Sequence, residues 1–202
     1  MQAPVVNKTV ETHRRAAGWL LFASTVQFSI VMIIAESLYA GYSVSTNYIS
    51  DLGVKSTGPL FDTSISLVGI AVIIGSYLLY KVYRSKIFSI LILLTGIGAL
   101  SVGIFNESFG NIHGYVSLLT FVAGALTSIV SYRYVKSPFS YMAVILGVFS
   151  LAALVLVEGA KATLGLGVGG IERMIVYPFL LFGVGFGGYL IGSSNTPEPS
   201  HR

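Results

Sequence analysis

The chain has 202 residues, of which 54% are hydrophobic and only 10% are charged. A soluble globular domain carries about 25% charged residues, so this composition excludes a soluble protein and predicts a one-domain integral membrane protein. The net charge of +4 comes from basic residues that lie between apolar runs, and no basic run indicates a nucleic-acid partner. The absence of cysteine excludes disulfides and thiolate chemistry.

Six apolar segments are long enough to cross a membrane, which takes a helix of about 20 residues. The predicted helices cover residues 16–40, 59–80, 87–105, 112–134, 138–157 and 170–191. The predicted fold class is therefore an all-α, polytopic transmembrane bundle of six helices spanning residues 16–192. Membrane lipids are its expected surroundings.

Polar segments flank and interrupt this domain. Residues 1–15 lack the apolar core and cleavage site of a signal peptide, so we expect them to remain as a cytoplasmic N-terminal segment. Residues 193–202 are polar and contain Pro197 and Pro199, which predicts a disordered tail. Residues 42–58 form the longest polar break, and their alternating apolar residues predict a folded lid.

The basic residues predict an orientation. If the N-terminus is cytoplasmic, nine of the 12 lysines and arginines lie in cytoplasmic segments and only Lys55, Lys161 and Arg173 lie on the other side. The positive-inside rule then places both termini in the cytoplasm. We expect a multi-pass protein of the cell membrane with an extracytoplasmic lid.

Most acidic residues gather on the lid side of the predicted helices. These residues are Glu36, Asp51, Asp62, Glu107, Glu158 and Glu172, and the fourth helix adds His113 at the same level. Asp62 and Glu172 stand at helix N-termini, where the helix dipole stabilises a carboxylate. Stabilisation of the helix ends and a role in a functional site therefore explain Asp62 and Glu172 equally well.

Glu36 and Arg173 are both expected to form ion pairs. Glu36 lies within an apolar span, where a charge is costly and usually turned towards a partner or water. Arg173 follows Glu172 directly, and adjacent residues point about 100° apart on a helix, so its partner is expected on another helix. Glu36, Glu107 and Glu158 are the candidates, and a plain salt-bridge network is one interpretation of the whole group.

The other interpretation is a polar pocket beneath the lid. Its candidate ligand-binding residues are Ser50, Asp51, Glu107, His113, Glu158, Glu172 and Arg173, with Glu36 and Asp62 in structural or network roles. The leading hypothesis is a non-catalytic membrane protein that binds a lipid headgroup, small ligand or cation.

Two further functions stay open. One is a membrane-embedded hydrolase or transferase acting on a lipid or polyprenyl substrate, with His113 transferring a proton and Asp51 or Glu172 as its acid partner. The other is a small transporter or channel subunit, for which only Gln27 and Pro178 lie near the expected midplane.

No cofactor is predicted. Haem and zinc need several ligands, and among the three histidines only His113 is expected at the lid side. The oxygen-rich acids could hold calcium or magnesium, but the spacing of a calcium loop is missing. The glycine-rich run 165–170 could cradle an anion at a helix start, although it lacks the ending of a P-loop and a flexible loop is the simpler interpretation.

The last helix carries a pattern for close packing. Gly183, Gly187, Gly188 and Gly192 follow the G-x-x-x-G spacing that lets two helices approach closely. The spacing predicts packing either within the chain or against a second copy, which would form a homo-oligomer.

Several short motifs together resemble a known family. They are Asn47-Tyr48-Ile49-Ser50-Asp51-Leu52-Gly53, then Pro59, Phe61 and Asp62, then Gly103 and Phe105, then His113, then Gly170-Ile171-Glu172-Arg173. This pattern resembles the archaeal and bacterial membrane-protein family named domain of unknown function 998, from the first helix to the sixth. The resemblance implies a six-helix bundle and implies no activity.

Overall fold

Six long helices account for most of the chain. The computed structural model describes residues 8–193, and its long helices are α1 Lys8–Leu38, α2 Gly58–Tyr83, α3 Lys86–Ile104, α4 Asn111–Val130, α5 Phe139–Glu158 and α6 Gly167–Gly192. Single-turn 3-10 helices lie at Ser50–Gly53, Glu107–Phe109 and Ser131–Arg133. All six long helices are apolar and long enough to cross a membrane, and residues 8–193 contain no strand. The predicted all-α, six-helix transmembrane fold is confirmed.

The first helix extends beyond the predicted span of residues 16–40 at its N-terminal end. Residues 8–15 form about its first two turns, consistent with a helix that starts before the membrane and includes Glu11. In these turns Arg14 is buried and binds both carboxylate oxygens of Glu11 while donating to the Leu190 carbonyl and the Ser193 hydroxyl at the end of α6. The predicted disordered tail lies outside the described residues, except for Ser193.

The helices form a closed ring. Each helix packs against its neighbours in sequence, α6 returns to α1, and α4 also touches α6. Since successive helices run in opposite directions, the connections alternate between two ends. The lid end carries the connections 39–57, 105–110 and 159–166, and the terminal end carries the other two connections and both described termini.

Close glycine contacts hold α1 and α6 together. Lipid supplies no hydrophobic force between helices, so close packing has to provide the attraction. A Cβ on Gly187 would stand 2.6 Å from the backbone nitrogen of Phe22, and Gly183 also faces α1, whereas Gly188 and Gly192 have no atom of residues 8–193 within 4 Å of that position. Half of the glycine pattern therefore packs inside the chain, and a homo-oligomer through the other half stays a prediction.

Polar side chains add bonds between helices within the bundle. Gln27 of α1 and Ser64 of α2 exchange hydrogen bonds of 3.0 Å. The Ser150 hydroxyl of α5 donates to the Ile175 carbonyl of α6 at 2.8 Å, in the turn before Pro178. This bond ties α5 to α6 close to Pro178, which itself has no backbone N–H to donate.

Candidate functional site

The lid is a folded segment, running from residue 39 to residue 57. The Tyr42 hydroxyl donates to the Tyr48 carbonyl at 3.1 Å, and the Thr57 hydroxyl donates to the Leu52 carbonyl at 2.7 Å. Ile49 and Leu52 are buried against the helices beneath. Gly58, expected within the lid, is instead the first residue of α2.

Arg173 joins the lid to α1 and α6. This side chain is only 3% exposed, and its Nη2 donates to Glu36 Oε1 at 2.5 Å and to the Tyr42 hydroxyl at 2.6 Å. Its Nη1 donates to the carbonyls of Gly169 at 2.8 Å and Val44 at 3.2 Å. Burial raises the pKa of Tyr42 to about 12 although Arg173 acts against this, so the hydroxyl keeps the proton that it donates.

Asp51 and Asp62 are also tied into the framework. Asp51 Oδ2 accepts from Asn47 Nδ2 at 2.8 Å and from the Tyr48 backbone N–H at 3.0 Å, which fixes the turn of the lid. Asp62 Oδ2 accepts from Asn106 Nδ2 at 2.9 Å, and the same Asn106 nitrogen donates to a lid carbonyl. Sequence reasoning missed Asn106, whose role depends on α2, the lid and the α3–α4 connection meeting in space.

The glycine-rich run 165–170 packs against the lid. Gly167 begins α6, and the Gly169 N–H donates to the Ser45 carbonyl at 3.0 Å. A Cβ on Gly169 would overlap the Asn47 carbonyl oxygen. These residues therefore form a helix start that the lid covers, and the Gly169 N–H is already used within the protein.

A cavity of about 500 Å³ lies at the lid end between the lid, α4, α5 and α6. We call it the lid-end cavity. Its lining includes the carboxylates Glu107, Glu158 and Glu172 together with His113, and no lysine or arginine among the described residues lines it. Of the seven predicted ligand-binding residues, Ser50 and these four line the cavity, while Asp51 and Arg173 do not.

Glu107 is half-buried at the edge of this cavity. Its Oε2 is buried and has no hydrogen-bond partner among the described residues. Burial, followed by the nearby Asp51 carboxylate, raises the pKa of Glu107 from 4.5 to about 7. Near neutral pH this carboxyl therefore carries a proton about half of the time.

Glu172 and Glu158 differ in their surroundings. Glu172 Oε2 accepts a hydrogen bond from the Ile49 N–H of the lid, so this carboxylate both holds the lid and lines the cavity. Glu158 is exposed and pairs with Lys161 at 3.3 Å, three residues further along the chain. Such exposed pairs contribute at most about 1 kcal/mol, which leaves Glu158 able to exchange its partner.

His113 uses both ring nitrogens within the protein. Nδ1 lies 2.8 Å from the Phe105 carbonyl and therefore carries the proton that it donates, and Nε2 accepts from the Ser117 hydroxyl at 3.2 Å. Neither nitrogen is hydrogen-bonded to an acid. Sequence reasoning missed Ser117, although its spacing of four residues from His113 places both on one helix face.

A second cavity of about 50 Å³ lies deeper in the bundle. Apolar side chains dominate its lining, and it reaches down to Phe28 and Leu180. The two cavities share five wall residues, which are Ser50, His113, Ser117, Phe121 and Glu172. No group of three or more residues suited to holding a metal ion occurs among residues 8–193.

The ring of six apolar helices defines a polytopic, multi-pass membrane-type protein, with a polar cavity at one end. The chain belongs to the family described as Protein of unknown function (DUF998), which it matches over residues 14–187. The match covers all or part of every helix and confirms the family resemblance seen in the sequence. No curated protein and no solved structure matches the chain.

Proposed function

We propose that this protein binds a positively charged, amine-bearing ligand in the lid-end cavity without catalysing a reaction on it. The observation that carries the proposal is the charge of the lining: three carboxylates and one imidazole, with no lysine or arginine among the described lining residues. The basic residues nearby are already paired, Arg173 with Glu36 and Lys161 with Glu158. An anionic ligand would be repelled by the ionised carboxylates of this wall.

An ammonium group suits the unfilled hydrogen-bonding capacity of the wall. It offers three donors and no acceptor, whereas the lining carboxylates Glu107, Glu158 and Glu172 supply acceptors. Hydrogen bonds between an ammonium and a carboxylate are about twice as strong as neutral ones. A bound amine would therefore stabilise Glu107 in its ionised form.

The positive-inside rule supports an extracytoplasmic position for the cavity, in the cell membrane. The ligand would then come from outside the cell or from the outer leaflet. Catalysis ranks second because both nitrogens of His113 are bonded to groups other than acids. Transport ranks third because neither cavity has a lining residue at the terminal end.

Thermal stabilisation of the purified protein by matched probes tests the proposal. The amine probes are lysophosphatidylethanolamine and its chain-free headgroup, glycerophosphoethanolamine, and lysophosphatidylglycerol is the control without an amine. At least one amine probe should raise the Tm of the native protein by several degrees more than the control does.

A charge-neutral variant provides the second arm. Glu107→Gln combined with Glu158→Gln removes two lining charges, and the amide that replaces Glu107 can still hydrogen-bond to Ser50 and Asp51 of the lid. This double variant should fold with a Tm at least equal to that of the native protein and lose most of the stabilisation by amines. The proposal fails if neither amine probe stabilises the native protein, or if the double variant responds to amines as the native protein does.

A further inference from the structure

We propose that the ligand is a membrane amphiphile that reaches the lid-end cavity sideways from the lipid, through a cleft between α4 and α5 that holds its hydrocarbon chain. This inference rests on the proposed function, because it assumes that the cavity binds an amine headgroup. It adds the class of the ligand and its route.

Helices α4 and α5 are joined in the half of the bundle near the terminal end. The Ser128 hydroxyl of α4 donates to the Ala143 carbonyl of α5 at 2.6 Å. A Cβ on Gly147 would stand 2.6 Å from the Ala125 carbonyl oxygen, so the two backbones are in close contact there. The contact continues to the level of Phe121 and Leu154.

Beyond that level the two helices line the cavity. Ten residues separate Phe121 from the start of α4 at Asn111, which corresponds to about 15 Å of helix. Over this length α4 offers Gly114, which has no atom within 4 Å of its missing Cβ. Gly114 lines the same cavity as Leu154, Val157 and Glu158 of α5, so the cavity provides open space beside both helices at the lid end.

The cavity has an exposed wall on α4. Tyr115 and Leu118 line the cavity and are 73% and 43% exposed. Because α4 is long and apolar enough to span a membrane, an opening at this wall would lead sideways into the hydrocarbon. An amphiphile can pass this opening while its chain stays in the bilayer.

The cavity lining is acidic towards the lid and apolar towards the membrane interior, as an amphiphilic ligand requires. Glu107, Glu158 and Glu172 lie towards the lid, while Leu118, Leu154 and Ile175 line the part nearer the membrane interior. The carboxylates match an amine headgroup and the apolar residues match a chain. The lid stays fixed to α6 by Glu172, which accepts from Ile49, and by Arg173, which donates to Val44 and Tyr42, so this route needs no movement of the lid.

The affinity of the native protein for two probes gives the first test. Lysophosphatidylethanolamine and glycerophosphoethanolamine share a headgroup and differ by the chain, and each is titrated into the protein in phosphatidylcholine nanodiscs. The lipid should bind at least tenfold more tightly than the chain-free headgroup. Equal affinities would overturn lateral access while leaving amine binding intact, and no binding of either probe would overturn both.

Tryptophan fluorescence locates the hydrocarbon chain of the bound lipid. The sequence has a single tryptophan, Trp19, so a Trp19→Phe background with Tyr115→Trp reports on the cleft. The matched control is Tyr141→Trp, an exposed α5 tyrosine near the terminal end. Lysophosphatidylethanolamine brominated on its chain should quench Tyr115→Trp saturably, and unbrominated lipid should reverse this quenching.

The control defines the outcome that contradicts the proposal. Tyr141→Trp should show only the weak, non-saturating quenching of a residue in contact with bulk lipid. Equal quenching at both positions would overturn the cleft. If Tyr115→Trp does not fold, the affinity ratio of the native protein still decides the proposal.

Discussion

Arg173 holds α1, α6 and the lid together through four hydrogen-bond acceptors. A guanidinium can reach so many acceptors because its donors are arranged in a rigid planar fork. It also compensates the charge of Glu36, which the apolar surroundings of α1 would otherwise leave uncompensated. Arg173, which the sequence suggested as a ligand contact, thus lies within the framework that connects the lid to the helices.

Arg173→Gln is expected to destabilise the protein strongly. The change leaves the partly buried Glu36 carboxylate without a counter-charge, and breaking a fully buried pair in this way costs about 3 to 5 kcal/mol, which is the upper limit here. Lys161→Gln breaks an exposed pair and should cost less than about 1 kcal/mol. Denaturation in detergent measures both variants, and equal losses would contradict the anchoring role of Arg173.

Glu107 makes stability depend on pH. Because its pKa is raised to about 7 from 4.5, the folded state holds this proton more tightly, and stability falls as pH rises from about 4.5 to about 7. Glu107→Gln should remove this loss and be more stable than the native protein at pH 8, by roughly 1 kcal/mol since solvent screens a half-buried group. At pH 4 the two should not differ.

The measurement is the Tm of native protein and variant between pH 4 and pH 8. Glu158→Gln serves as the control, because this carboxylate lines the same cavity but is exposed. Glu107→Gln should exceed the native protein in Tm by an amount that grows as pH rises. If this Tm difference is the same at every pH, or shrinks as pH rises, the raised pKa does not belong to Glu107.

At the scale of elements, the start of α6 and the lid depend on each other. The lid backbone lies against Gly169 so closely that any Cβ there meets the carbonyl oxygens of Asn47 and Val44. The sequence suggested a flexible glycine loop here, since glycine spacing alone does not show what packs against it. The lid requires glycine at this position for steric reasons.

Gly169→Ala should therefore displace the lid, with an overpacking cost of about 1 to 3 kcal/mol. Gly188→Ala is the matched control, because it lies in the same helix with open space and should stabilise the helix by up to about 1 kcal/mol. Thermal unfolding and limited proteolysis of residues 39–57 measure the effect. A Gly169→Ala variant as stable as the control would show that the lid does not pack as described.

The long helices could be predicted from the sequence because crossing a bilayer demands about 20 apolar residues whatever their neighbours are. The contacts of Arg14 in the first turns of α1 could not, since this residue finds partners at the far end of the chain, at Leu190 and Ser193. The same limit applies to the site. The acids at the lid end were visible as a pattern, but only the packing of the ring separates Glu172, which lines the cavity, from Asp51, which fixes the lid.

At the scale of the whole molecule, the ring fixes which connections share an end, and the charge pattern predicts which end faces the cytoplasm. The native chain contains no cysteine, so single cysteines can report topology without background. Lys55 in the lid and Lys136 in the α4–α5 connection are both exposed and lie at opposite ends.

Lys55→Cys should react with a membrane-impermeant maleimide on intact cells. Lys136→Cys should react only after the cells are permeabilised, because the terminal end is predicted to be cytoplasmic. The reverse labelling pattern would place the lid and its cavity in the cytoplasm, and it would contradict the source of ligand proposed above.

The central claim is that the lid-end cavity is the binding site, and a plug in that cavity tests it most directly. Gly114→Leu places a side chain into the open space of the cavity, and Gly188→Leu makes the same change on α6 at a position with equal room that does not line it. Lysophosphatidylethanolamine is titrated into native protein and both variants at pH 8. We predict that the native protein and Gly188→Leu bind with equal affinity and that Gly114→Leu binds at least tenfold more weakly, whereas equal binding by all three would contradict the claim.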